Sequence, residues 1–176
     1  FSVREGSYDA AALLDNQNQF LGSKKLVYAF KLYDKDNILI AVRENSTFIG
    51  AGEKFIIFEP DFAIQNRIPA RAVLELREVR WEGAEPEALP IDLLSKDILL
   101  ADALPRLDVR IKNLSTNSIQ NLEASAIVLD SSGAVLGASR TRLDLLEGLA
   151  ESHLIFTWPK QIPDAANAQI FLRKIP

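Results

Sequence analysis

The feature that most constrains the fold of this chain is that it repeats itself. Asp34 and Asp130 stand 96 residues apart, as do Asn37 and Gly133 and, further on, Arg77 and Arg173. Asn16 and Asn113 are 97 apart, and Pro60 and Pro159 are 99 apart. An offset that drifts so little describes two copies of one unit with small loop insertions. Two copies are too few to stack as a solenoid, so each must bury a core of its own. The 176 residues suffice for two small domains.

Each copy reads as strands separated by turns. Residues 26–33 place Leu26, Tyr28, Phe30 and Leu32 on one face at period two. Asp34-Lys35-Asp36-Asn37 follows as a tight turn, since Asn tolerates the left-handed conformation, and residues 38–42 return as the second strand of a hairpin. Residues 45–52 are turn-like, 54–58 form a short strand stopped by Pro60, 61–69 form a loop and 72–80 form another strand. Residues 7–14 supply a first strand. The second copy follows the same order: strand 107–111, polar turn 113–118, strand 122–129, the turn Asp130-Ser131-Ser132-Gly133, strand 134–138, strand 154–158 before Pro159, and strand 168–173.

Short strands with turns every 8–12 residues and no long amphipathic helix predict an all-β chain: two tandem immunoglobulin/fibronectin-III-like β-sandwich domains, with a barrel as the competing solution. The expected domains are residues 1–81 and 105–176. Between them lies a proline-containing connector, residues 82–104, stiffened by Pro86 and Pro90 with Pro105 just beyond. It docks through Leu93, Leu94, Ile98 and Leu99 and has room for one short helix.

Phe30-Lys31-Leu32-Tyr33-Asp34 matches the F-x-L-Y-D motif of a prokaryotic β-sandwich family named for it, and Ala126-Ile127-Val128-Leu129-Asp130 resembles a degenerate second copy. The resemblance covers residues 8–80 and again 107 to the end. It implies an immunoglobulin-like domain of envelope or exported proteins, placed behind a signal peptide or an N-terminal anchor. The family brings no catalytic residues. The resemblance therefore implies a non-enzymatic cell-surface module, a spacer and interaction platform on the extracellular face of the cell envelope, with a protein or glycan as partner. The second reading is a pair of accessory sandwiches in a larger envelope assembly such as a secretion, pilus or enzyme complex.

Composition narrows the chemistry. Hydrophobic residues make up 48% and charged residues 25%, which is globular usage, and the net charge of −4 disfavours nucleic acid, which needs a basic stripe. With no cysteine, disulfides and thiolate metal sites are excluded. The chain opens Phe1-Ser2-Val3 without Met, the expectation being a portion of something longer, so that any membrane attachment lies in a segment absent from this chain. No apolar run approaches the roughly 18–20 residues of a spanning helix.

No catalytic, metal or cofactor site is expected. His153 is the lone histidine, expected at a strand start with its ring toward solvent, and a single His gives no support for a triad. Asp34-Lys35-Asp36-Asn37 fails as a calcium loop, because the sixth position is Leu39 and the twelfth Asn45. Gly50-Ala51-Gly52 lacks the strand-to-helix context of a nucleotide loop, and Glu82, Glu85 and Glu87 lie in the connector, which positions nothing rigidly. Asn45-Ser46-Thr47 and Asn113-Leu114-Ser115 fit the glycosylation pattern and are assigned to turns. Trp81 and Trp158 are the candidate partner-binding residues, because a Trp beside loops can anchor a protein or a sugar. The competing and preferred reading is that each packs at the domain junction or caps a core edge.

Overall fold

The computed structural model describes residues 1–64, 66–99 and 104–176. Among them it forms thirteen strands and no helix. Contacts divide the chain into two compact units, Ser2–Glu87 and Ala88–Pro176. The first contains β1 (Ser2–Arg4), β2 (Ser7–Asp15), β3 (Leu21–Tyr33), β4 (Leu39–Ile49), β5 (Lys54–Ala63), β6 (Arg71–Val79) and β7 (Glu82–Gly83). The second contains β8 (Ile91–Leu99), β9 (Arg106–Asn113), β10 (Ile119–Leu129), β11 (Val135–Leu146), β12 (Glu151–Thr157) and β13 (Asn167–Lys174).

All pairings are antiparallel. In the first unit the sheets run β1-β2-β5 and β4-β3-β6, with β7 added at the start of β3. In the second they run β8-β9-β12 and β11-β10-β13, the same order strand for strand. Even the register repeats: Ala12 faces Ile57, and Val109 faces Leu154, each residue 97 beyond its counterpart. The chain crosses between sheets from β2 to β3, back from β4 to β5, and again from β5 to β6, so apolar faces from both sheets close on one core.

Those cores follow from the period of two. Leu26, Tyr28, Phe30 and Leu32 on β3 are at most 4% exposed, and Phe55 and Ile57 on β5 join them. The ring of Phe30 meets Tyr28 and Phe62 edge to face, at 6.1 and 6.5 Å between centroids. In the second unit Leu107, Val109, Ile111, Leu122, Ala124 and Ala126 are fully buried, with Leu154 and Phe156 at 1%. Each large side chain so buried stabilises its unit by roughly 1.5–3 kcal/mol. Between the central strands of the two sheets, however, the bulk is placed oppositely. The first unit combines Tyr28 and Phe30 on β3 with Ala10 and Ala12 on β2; the second combines Ala124 and Ala126 on β10 with Leu107 and Val109 on β9.

Polar residues that recur in both copies close the loops. Asn16 Nδ2 donates to the carbonyls of Leu21 (2.8 Å) and Gly50 (2.7 Å), while its Oδ1 accepts from the Asn18 amide at 3.2 Å. Asn113 does the same work: Nδ2 donates to Asn117, Glu147 and Leu146, and Oδ1 accepts from the amide and hydroxyl of Ser115. Each asparagine thus ties the loop after its own strand to the loop before β5 or β12. The hairpins match equally well. Asp34 Oδ1 accepts from the amides of Asp36 and Ile38, and Asp130 Oδ1 from those of Ser132 and Ala134. Asn37 and Gly133 occupy the left-handed position, at φ 62° and 85°.

One position departs from this economy. Gly52 (φ 63°) has Leu149 (φ 60°) as its counterpart, and the amides of both donate to the loop opposite at 2.8 Å, to Asn18 and Ser115. A bulky L-residue in the left-handed region is strained, whereas Gly is not. Leu149→Gly is therefore expected to stabilise the second unit by about 1 kcal/mol, read as a higher urea midpoint at unchanged slope.

Three expectations are corrected. Much of the connector at residues 82–104 is strand: β7 pairs with the first unit, and β8 is the first strand of the second, which leaves residues 84–90 between them. Residues 100–103 of it lie outside the described residues. The register of β8 shifts between Leu93 and Ser95, so Leu94 is an extra residue that breaks the alternation by which a strand is read. Secondly, Pro60 does not end its strand; β5 continues to Ala63, because the proline falls at a bulge that needs no N–H there. Of the loop expected at 61–69, residues 61–63 are thus strand, and Gln65 lies outside the described residues. Thirdly, residues 45–49, read as turn, complete β4.

Candidate functional site

The densest polar cluster surrounds the β5 bulge. Tyr8 pairs with Phe62 and Ala10 with Glu59, so Pro60 and Asp61 together oppose Asp9. Asp61 turns to φ 62° and gives its N–H to Asp9 Oδ1 at 2.8 Å, which replaces the missing ladder bond. Its own carboxylate accepts from the Ser7 hydroxyl at 2.6 Å and from Arg4 at 3.3 Å. The Ser7 hydrogen bond, above all, holds Asp61 below the usual carboxylate range, while burial pushes Asp9 up.

Glu59, 6% exposed, is the buried centre of this cluster. Its Oε1 accepts from the Tyr28 hydroxyl at 2.6 Å and from Asn45 Nδ2 at 3.1 Å, and Arg43 lies 3.5 Å from Oε2. Arg43 also donates to the carbonyls of Pro60 and, at 3.0 Å, Asp61, with its guanidinium 4.2 Å above the Phe62 ring. The edges β4 and β5 of the two sheets are laced together by these bonds. A buried carboxylate is tolerable only when satisfied in this way. The counterparts of Glu59, Tyr28, Asn45 and Arg43 are Phe156, Ala124, Thr141 and Ser139, so the cluster belongs to the first unit alone. Its carboxylates point their lone pairs at protein donors, a welding arrangement and not an open acid–base pair.

Sequence reasoning missed this cluster, although Phe55, Ile57 and Glu59 share one phase of β5 and so put a carboxylate on the buried face. Among the described residues no three His, Cys, Asp or Glu side chains are placed to hold a metal ion.

The two tryptophans separate. Trp81 is 51% exposed between β6 and β7. Trp158 is 7% exposed and belongs to the second core, so it is withdrawn as a partner-binding residue. Its Nε1 donates to the Ala138 carbonyl at 3.1 Å, and the indole lies against Gly137, where a Cβ would come within 3.0 Å of Nε1. The phase explains it: Leu154, Phe156 and Trp158 alternate inward, and the strand ending before Trp158 does not change the direction of its side chain.

His153 stands within β12 with its side chain 60% exposed, toward solvent as expected, and its Nδ1 is 2.7 Å from Asp108 Oδ1. This contact and Arg106 keep Asp108 below the usual carboxylate range. Neither tripeptide of the glycosylation pattern behaves as a free turn. Asn45 lies in β4 bonded to Glu59, and Asn113 is fully buried in its loop clasp. Neither a scan against protein-family models nor a search of curated proteins finds a match for this chain.

Proposed function

We propose that this chain is a non-enzymatic module of the cell envelope whose two sandwich units act as spacer and interaction platform. The observation that carries this reading is the use made of the recurrent polar residues. Asn16 and Asn113, Asp34 and Asp130 are spent on closing loops, so the part common to both copies is scaffold. The exposed residues differ between the copies as well as the cores, and recognition is decided at the surface. The half-exposed Trp81 is the residue best suited to anchor a protein or glycan partner. Placement at the extracellular face rests on the resemblance to the F-x-L-Y-D family. A second reading is a pair of accessory sandwiches within a larger envelope assembly.

A glycan array and a hydrolysis assay on the purified chain separate binding from turnover. Binding that weakens at least about tenfold on Trp81→Ala supports the platform. Turnover that disappears on Glu59→Gln or Asp61→Asn would sink it.

A further inference from the structure

The strained loop of the second unit carries a side chain for which the fold has no use. Leu149 sits in the left-handed region at φ 60°, and its amide donates to the Ser115 carbonyl at 2.8 Å. Gly52 makes the same bond to Asn18 in the first unit, where the backbone is unstrained. The leucine gains no burial in return, since Leu149 is 58% exposed. Leu114, one residue from the bond that joins the two loops, is 57% exposed, and its counterpart is Gln17. The scaffold therefore works with a glutamine and a glycine at these positions, and the second unit displays leucines there.

The pair is held in place from several sides. Gly148 lies so close to the facing loop that a Cβ there would overlap the Thr116 carbonyl. Asn113 Nδ2 donates to the carbonyls of Leu146 and Glu147, and the Asn113 amide donates to that of Ala150 at 3.0 Å. A contact fixed in this way loses little freedom when a partner docks. The neighbouring charges select the partner. Residues 112–119 and 144–151 contain Asp144, Glu147 and Glu151 against Lys112 alone, and Lys112 lies 3.8 Å from Glu151. The surplus of carboxylates repels an anionic lipid surface or an acidic glycan and attracts a cation.

We infer that Leu114 and Leu149 form a contact for a polypeptide segment of a partner that sets aliphatic or aromatic residues beside Lys or Arg. This rests on the interaction-platform reading and names the partner's chemistry. The partner's apolar side chains cover the two leucines and remove from water the surface that the fold leaves exposed. Its cations meet Asp144 and Glu147 at the rim, where they decide selectivity more than affinity. The left-handed backbone at Leu149 is then part of the device, because it holds the side chain out for a partner to cover.

The probe is a random-peptide library displayed on phage and panned on the whole chain, with the Leu149→Gly chain in solution as competitor. The retained peptides, once synthesised, are expected to combine Leu, Ile, Phe or Trp with Lys or Arg. They should bind Leu149→Gly at least about tenfold more weakly, although that variant unfolds at a higher urea midpoint. Leu149→Asn keeps a residue that tolerates the left-handed backbone and should lose binding equally. Leu114→Gln restores the first unit's residue and should weaken binding at least about tenfold. Glu147→Lys should weaken it about threefold, an effect that fades as salt is added. Retention of no peptide that tells the two chains apart, retention of acidic peptides, or unchanged binding to Leu149→Asn overturns the inference. So does a concentration-dependent dimer that Leu149→Gly abolishes, since a second copy is then the occupant. Failure here leaves ligand binding through Trp81 intact, whereas hydrolytic turnover fails the platform reading and leaves the peptide affinities as they are.

Discussion

Trp158→Ala is expected to lower the stability of the second unit by about 3–5 kcal/mol, while Trp81→Ala changes the first by no more than about 0.5 kcal/mol. The contrast follows from placement. Truncation at 158 empties a site lined by Gly137 and Ile162 and leaves the Ala138 carbonyl without the indole N–H. Truncation at 81 removes a ring already half in water. A domain of this size is stable by only about 5–15 kcal/mol, so the first loss is a large fraction of the whole. Because the chain has two tryptophans, each single variant leaves one fluorophore, and it reports on the other unit. Urea unfolding followed by far-UV circular dichroism gives the total, and fluorescence of the remaining Trp assigns the transition. A parent-like midpoint for Trp158→Ala would remove Trp158 from the core.

Asn113→Ala should cost about 2–3 kcal/mol, more than the equivalent change at Asn16. Asn113 is 0% exposed and engages three carbonyls, one amide and one hydroxyl. Asn16 is 7% exposed and engages two carbonyls and one amide. Alanine leaves those carbonyls without the donor, and the loops on both sides of the clasp lose their common anchor. Amide exchange should show this locally, with Ser115 and Leu149 losing protection before the strands do. A larger effect at Asn16 than at Asn113 would contradict the clasp.

Much of this was legible in the residues. The hairpins were, because a tight turn needs a left-handed residue and Asn37 and Gly133 supply it. The repeat was, because three of its marker pairs, Asn16 and Asn113, Asp34 and Asp130, Asn37 and Gly133, close turns or loops whose chemistry tolerates little else. β8 was hidden by the extra residue Leu94, which puts Leu93 and Leu94 side by side and breaks the period. β5 was cut short because a proline usually ends a ladder, and only pairing with β2 reveals the bulge that accommodates it. The cluster around Glu59 gathers Tyr28, Asn45 and Arg43 from separate strands, which no local pattern brings together. Its trace was the phase of Glu59 alone. Trp158 could have been placed inward by that same phase, through Leu154 and Phe156.

The opposite placement of bulk in the two cores bears on how the chain avoids mistaking one copy for the other. Tandem copies of one fold are prone to exchange equivalent strands while folding. Were β3 to take the place of β10, the rings of Tyr28 and Phe30 would enter space shaped for Ala124 and Ala126, beneath Leu107 and Val109. Overfilling a packed core costs about 1–3 kcal/mol, occasionally more. The reverse exchange would leave two ring-sized voids against Ala10 and Ala12, at about 3–5 kcal/mol for each lost ring. Backbone register hardly tells β3 from β10, since the ladders coincide for the most part, an extra residue of β6, Arg77, marking one departure. Side-chain volume does, and each strand carries with it the address of its own core.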